Sequence, residues 1–502
     1  METLQSLLSG FQVALLPLNI VYCLIGVVCG TLIGALPGLG PSAGLAVLLP
    51  ITFGMNPVAG IIMLAGIYYG AMYGGSITSI LINTPGDSAA VMTALDGYPL
   101  NLKGRAGPAM GMAAFASFIG GTISIIIFTF LAPVMANFAL SFGAPEYFAL
   151  MVMGLSALAS MTGDDPIKGF LSAVLGIIIS MVGLDLVTGM PRFTFGSLHL
   201  MSGVDFVPVA MGLFGITEII LSGEETDTRV GLKSADLRFT KLFPTLADWA
   251  RCKLIIPVGT LLGFFIGMLP GAGATIASFM SYGTAKKLSK HPDEFGAGAI
   301  EGVAAPECAN NAASVGAFVP LLTLGVPGSA STAVMMGALM MFGMRPGPLL
   351  FENNPDFVWG LIASMYVGNI MLIAMVLVFV PLFVRVLQVP RGILNSIVMA
   401  FILIGAYSLE GSMFTVYLTI FFGVLGYFMK KMKIPAVPMV LALVLGQLME
   451  NSLRQSMIMS QGNPIIFFAR PISCVLMLIA FGAILMPVLK NFIKKVTVKA
   501  GA

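Results

Sequence analysis

Two stretches of the chain carry side chains suited to holding small ions. NTPGDS (83–88) gathers Asn83, Thr84, Asp87 and Ser88 around Pro85 and Gly86. Carboxylate, hydroxyl and amide oxygens are hard ligands for a small cation, and carbonyls freed by Pro and Gly can join them. The candidate cation ligands are therefore Asn83, Pro85, Gly86, Asp87 and Ser88, with Glu307 from the second stretch; an interfacial turn is the competing interpretation of PGD. In that second stretch Glu307, Asn310, Asn311 and Ser314 recur at i, i+3, i+4 and i+7, one face of a helix. Tyr69, Tyr73, Ser76 and Asn83 form a comparable stripe. Such stripes in apolar sequence face a bundle interior, either as a binding site or as hydrogen-bonded joints between helices.

A different chemistry resides in LPGLGPS (36–42), LPGAGAT (269–275) and GVPGSAST (325–332). Pro deletes a helix hydrogen bond and Gly permits non-helical dihedrals, so each motif breaks a helix. A half-helix that restarts after a break offers free N–H groups and a positive dipole end to an anion. The candidate anion-binding residues are Gly38, Gly40, Ser42, Ser76, Thr84, Pro270, Gly271, Gly273, Asn310, Asn311, Ser314, Pro327, Gly328, Ser329 and Ser331. Kinks packed by small residues are the alternative. No strand precedes these loops and G-x-G-x-x-G is not completed, so they are not a nucleotide fingerprint. His199 and His291 stand alone, which leaves no Ser-His pair or metal-binding His cluster for an intramembrane hydrolase. Asp164, Asp165 and Lys168 fit a solvated or interface cluster.

The elements that must position these residues are membrane helices. Of 502 residues, 25 are Lys or Arg and 22 Asp or Glu, 9% charged against about 25% in a typical globular protein. Hydrophobic residues make up 58%, mean hydropathy is +0.99, and residues 3–86 contain no charge or histidine. This excludes a soluble, disordered or nucleic-acid-binding protein. Apolar runs of helix length at 108–140, 357–384 and 470–489 exclude a β-barrel. The five cysteines form no C-x-x-C pair, and neither a disulfide framework nor a zinc site is expected. METLQSLLSG has no basic n-region, so the first apolar run, 11–35, is expected to remain as a helix.

The breaks also reveal a duplication. GTLIGALPGLGPS (30–42) matches GFFIGMLPGAGAT (263–275), with Pro270 lying 233 residues after Pro37. NTPGDSAAVMTAL (83–95) matches GVPGSASTAVMMGAL (325–339), with Pro327 lying 242 residues after Pro85. Between the copies, 223–253 holds eleven charges in 31 residues. We therefore expect a first membrane repeat at 1–222, a cytoplasmic charged linker at 223–253 and a second membrane repeat at 254–502. Basic loops mark the cytoplasm. Lys490, Lys494 and Lys495, then Lys430, Lys431 and Lys433, then Arg385 and Arg391, alternate consistently inside, so 357–384 runs inward. Its counterpart 108–140 follows Lys103 and Arg105 and runs outward, so the repeats have inverted topology. Arg345, Arg454 and Arg470 fall in outer loops against this rule. The expected fold is an all-α polytopic membrane protein of about 11–12 transmembrane helices with re-entrant or broken half-helices and two inverted-topology repeats.

ALPGLGPSAG, YYGAMYGGSITSILINTPGDSAAVMTALDGYPL, MLPGAGATIASFMSYGTAKK and PECANNAASVGAFVPLLTLGVPGSASTAVMMGAL carry a resemblance over nearly the whole chain. The sequence resembles the large membrane subunit of the tripartite tricarboxylate transporters. The resemblance implies a bacterial inner-membrane permease that works with a small four-helix membrane subunit and a periplasmic solute-binding protein. It implies uptake of a carboxylate, citrate in the type case, coupled to Na⁺ or H⁺ without ATP and with no other cofactor. The family motifs fall on Gly38, Gly40 and Ser42, on Asn83 to Ser88, on Pro270 to Gly273, on Glu307 to Ser314 and on Pro327 to Ser331. The joint expectation is that the four breaks meet near the bilayer midplane, with substrate carboxylates on helix N-termini and the coupling cation at Asp87. A stand-alone organic-anion carrier or channel without a binding protein is the alternative.

Overall fold

Pro and Gly set where the helices start and stop. The computed structural model describes residues 2–36, 38–161, 165–185, 188–224, 239–271, 273–386 and 389–484; Pro37, Asp164, Lys490, Lys494, Lys495 and residues 225–238 of the linker lie outside them. In the first half α1 (Glu2–Ala14) leads into α2 (Pro17–Gly34), then α3 (Gly40–Leu48), α4 (Pro57–Ile82), α5 (Val91–Leu102) and the long α6 (Ala106–Ala139). There follow α7 (Ala144–Met161), α8 (Pro166–Ser180) and a two-residue antiparallel ribbon pairing Gly183 with Arg192. α9 (Phe206–Ala210) and α10 (Thr217–Glu224) are joined through a π-helical turn.

The second half opens on a bent pair. α11 (Leu246–Cys252) and α12 (Ile255–Gly267) meet at a 46° bend, followed by α13 (Gly273–Leu288), α14 (Glu301–Gly316), α15 (Phe318–Leu324) and α16 (Ala330–Met341). α17 (Leu349–Asn353) precedes the long α18 (Pro355–Val386), and α19 (Arg391–Glu410), α20 (Met413–Lys431), α21 (Val437–Met459), α22 (Ile466–Ala469) and α23 (Pro471–Ile484) complete the described chain. Seven of the described helices are long and apolar enough to cross a membrane, eight if the bent pair is one span, and four shorter apolar helices accompany them. The chain is an all-α polytopic membrane protein.

Glycine stripes bring the helices of each half into backbone contact. A methyl group on Gly26, Gly30 or Gly34 of α2 would lie 2.2, 2.3 or 2.2 Å from the carbonyl oxygen of Met63, Ile67 or Ala71 on α4. On α12, Gly263 and Gly267 meet the Ala309 and Ala313 carbonyls of α14, each at 2.3 Å by the same measure. Contact numbers rise together in both pairs, so α2 lies parallel to α4 and α12 parallel to α14. Gly34 and Gly267 are 233 residues apart, Ala71 and Ala313 are 242, the two offsets of the sequence repeat. Small residues permit this approach where lipid gives helices no hydrophobic reason to associate.

Parallel neighbours need a returning segment between them. For α12 and α14 the return is α13: Arg251, just before α12, pairs with Glu294 and Glu301, both beyond α13, at 2.7 and 2.8 Å. The α12–α13 unit therefore starts and ends on one face, as a hairpin and not as one interrupted span. Where the halves meet they run in opposite senses. The Tyr68 ring lies tilted against Phe318 with ring centroids 5.9 Å apart, Thr93 bonds Glu307, and Gly302 packs on Asp96, so first-half numbers rise as second-half numbers fall.

Ion pairs tie the basic loop residues to acids of other elements. Arg105–Asp248, Lys430–Glu218 and Lys431–Glu224 involve basic residues assigned inside, and Arg251 pairs with Glu294. Arg454, in a loop assigned outside, pairs with Asp185 and Glu450, and Arg470, in another, with Glu146. Two of the three arginines that oppose the positive-inside rule are thus neutralised by acids. Asp165 caps α8 by accepting from the Ile167 N–H, and Lys168 donates to the Met432 carbonyl, so this cluster serves helix ends.

Candidate functional site

Each break is built the same way in both halves. Gly38 and Gly271 have φ of 87° and 84°, Gly40 and Gly273 of 38° and 57°, a region that L side chains rarely enter. The Gly38 N–H donates to the Gly86 carbonyl at 3.2 Å, and the Gly271 N–H to the Gly328 carbonyl at 3.0 Å. The two breaks of each half are therefore bonded to each other. Left-handed residues Asn83 (φ 55°) and Gly325 (φ 70°) end α4 and α15. Asp87 and Ser329 then adopt extended backbone and cap the restarting helix: Asp87 Oδ1 accepts from the Ala90 N–H at 3.0 Å, Ser329 Oγ from the Thr332 N–H at 3.2 Å. N-cap oxygens satisfy one orphan donor and leave the others of the first turn.

The four breaks converge on one cavity of about 780 Å³. Gly38, Gly40 and Ser42 line it from the start of α3, Pro85, Gly86, Asp87 and Ser88 from the approach to α5, Gly271 and Gly273 from α13, and Ser329 and Ser331 from α16. Two helix N-termini come from each half. The halves are tied across it, Ser88 Oγ lying 2.7 Å from Thr275 Oγ1 and the Tyr68 hydroxyl 3.3 Å from Ser329 Oγ. The volume falls within the usual range for small-molecule sites, roughly 300–1,000 Å³.

The remaining candidates stand outside the cavity lining. Asn83 is exposed and Thr84 donates back to the Ile82 carbonyl, so both shape the end of α4. Pro270, Pro327 and Gly328 form the turns behind the lining; a methyl on Gly328 would lie 2.9 Å from the Gly267 carbonyl. Glu307, Asn310, Asn311 and Ser314 share one face of α14 as spaced, and are fully buried between α14 and the helices of the first half. Glu307 accepts from Thr93 at 2.5 Å and from Ser117 at 3.3 Å. Asn311 donates to Asn310 Oδ1 at 2.6 Å, and Ser314 to the Asn311 carbonyl at 2.7 Å. Asn310 Nδ2 and Ser76 Oγ are buried without a hydrogen-bond partner among the described residues.

Three polar lining residues are not among the sequence candidates. Thr275 occupies the position that matches Ser42 in the repeat, which would have identified it. Tyr68 adjoins Tyr69, and on a helix buried over nearly its whole length no periodic signal chooses between neighbours. Lys430 comes from α20, outside the repeat motifs, and had served only as a marker of topology.

The chain is 44% identical over 496 residues to an uncharacterised 52.8 kDa protein in the TAR-I ttuC' 3' region of Agrobacterium vitis, covering 99% of this chain and 98% of the relative. A second Agrobacterium vitis protein, from the TAR-II ttuC' 3' region, is 41% identical over 233 residues, 46% of this chain and 96% of the relative. An uncharacterised protein of Methanocaldococcus jannaschii is 32% identical over 120 residues, 24% of this chain and 30% of the relative. No solved structure matches. The family model for the tripartite tricarboxylate transporter TctA family matches residues 20–441. The chain belongs to that family, whose members are components of a transport system.

Proposed function

We propose that this chain is the large permease subunit of a tripartite secondary transporter that takes up tricarboxylates or related carboxylates across a bacterial inner membrane. In this reading a periplasmic solute-binding protein delivers the substrate, a small four-helix membrane subunit completes the complex, and Na⁺ or H⁺ supplies the driving force. The observation that carries it is the meeting of four helix N-termini, two from each half, on one cavity. Each N-terminus is equivalent to roughly half a positive charge. A polycarboxylate gains several such ends at once, with Ser42, Ser88, Thr275, Ser329 and Ser331 as further hydroxyl donors.

The coupling cation has two candidate stations. Asp87 lies at the cavity beside Pro85 and Gly86, and Glu307 lies behind it on α14, with Asn310 on the same helix and Ser76 on α4 nearby. Either carboxylate is able to hold Na⁺ with neighbouring oxygens or to carry a proton. Matching element order, parallel pairing within each half and opposed directions between halves support two inverted repeats, residues 1–222 and 254–502. Such repeats rock against each other around a fixed site.

The test is uptake by proteoliposomes holding the chain with and without its two partners. Asp87→Asn and Ser331→Ala should each lower citrate uptake at least tenfold at unchanged membrane level, and Asp87→Asn should alter the dependence on Na⁺ or pH. Unchanged rate and cation dependence in both variants would refute this site. Full uptake by the chain alone would instead favour a stand-alone carrier.

A further inference from the structure

Lys430 is the one cationic residue lining the cavity among the described residues, and Asp87 the one anionic residue. The lysine belongs to the last turn of α20, outside both sets of break motifs. Its ammonium is paired with Glu218, in the first turn of α10. Glu218 in turn lies against the first break, Oε2 being 4.0 Å from where a methyl on Gly38 would sit. Gly38 and Lys430 also line a second recess of about 430 Å³, whose other walls include Glu218, Glu224 and Lys431. Lys430 therefore stands at the boundary between the two spaces. Its side chain is 53% exposed and that of Glu218 21%, and ion pairs with this much solvent access are held weakly.

We propose that Lys430 binds a substrate carboxylate at the exit of the cavity, and that Glu218 is the positioning carboxylate that holds the ammonium when no substrate is present. Helix N-termini supply partial charges fixed in place, whereas a lysine on a flexible stem can follow a carboxylate from the cavity into the recess. Lys431, paired with Glu224, which also accepts from the Tyr427 hydroxyl, repeats the arrangement one residue further on and lines only the recess. The acid with the most carboxylates should depend most on Lys430. This rests on the carboxylate-site reading above.

The test is equilibrium binding of radiolabelled citrate, succinate and acetate to the purified full chain in detergent, with folding checked by thermal melting. Lys430→Gln should weaken citrate at least tenfold, succinate less and acetate least, while Lys430→Arg keeps most of the citrate affinity. Glu218→Gln, which releases the ammonium, should tighten citrate a few-fold. Equal binding of all three acids by Lys430→Gln and the unaltered chain would overturn the proposal, and so would an equal loss for all three, which marks a structural role. Ser42→Ala and Ser331→Ala separate the two readings. If they weaken citrate and Lys430→Gln does not, only the role of Lys430 fails. If they leave citrate unchanged, or if the unaltered chain binds none of the acids, the carboxylate site itself fails.

Discussion

Gly86 shows how little room the breaks allow. A methyl there would lie 2.0 Å from the Gly34 carbonyl oxygen and 2.7 Å from the α-carbon of Gly75, both backbone atoms that cannot turn aside. At its counterpart Gly328 the nearest atom is the Gly267 carbonyl at 2.9 Å. Gly86→Ala should therefore abolish recovery of folded protein, and Gly328→Ala should lower it less. Gly283, inside α13 with nothing within 4 Å, is the control: Ala there removes helix-interior glycine and should raise stability by about 0.5–1 kcal/mol. Size-exclusion profiles of the three variants in detergent give the ranking. Glu307 makes a second prediction. Thr93→Val removes its 2.5 Å donor in a dry environment and should cost about 1–3 kcal/mol in thermal unfolding. The residue types that build the breaks were legible in the sequence, because Pro and Gly act on their own dihedrals. Whether a polar side chain faces a cavity or a neighbouring helix depends on partners hundreds of residues away, and the stripe from Glu307 to Ser314 was assigned to a helix face without that information.

At the scale of elements, the question the sequence left open was which breaks fold back. Lys286 and Lys287 in the last turn of α13 and Lys290 just beyond it are compatible with either a span or a hairpin, since basic residues mark a side and not a path. The pairing of Arg251 with Glu294 and Glu301 decides it. Single cysteines at Lys253 and Lys290, both exposed, should react with an impermeant thiol reagent from the same side of the membrane. A cysteine at Gln461, at the other end of α21, should react from the opposite side. Labelling of Lys253 and Lys290 from different sides would make α12–α13 a span. The glycine stripes on α2 and α12 were visible as spacing, but their direction relative to α4 and α14 was not. Parallel and antiparallel contact use the same small residues.

For the whole molecule, Asp96 is the joint between halves on the face assigned to the cytoplasm. Its Oδ1 accepts from the N–H groups of Gly296, Gly298 and Ala299 at 2.8–2.9 Å, and Oδ2 from the Tyr282 hydroxyl at 2.8 Å. Asp96→Ala leaves several donors without an acceptor at a buried site and should cost more than about 3 kcal/mol, with Tyr282→Phe costing about 1 kcal/mol. Thermal melts of the purified variants measure both. The sequence by itself determined the membrane class, the helical fold, the duplication at offsets of 233 and 242, and the positions of the four breaks. These follow from composition and from backbone chemistry that is local to Pro and Gly. Tertiary structure alone decided that the breaks share one cavity, that the stripe on α14 packs behind it, that α12–α13 folds back to the face it starts from, and that Lys430 of α20 reaches the lining. Those outcomes depend on which faces of distant helices fit against each other, and outside the polar stripes no periodicity in so apolar a chain distinguishes a face that meets protein from one that meets lipid.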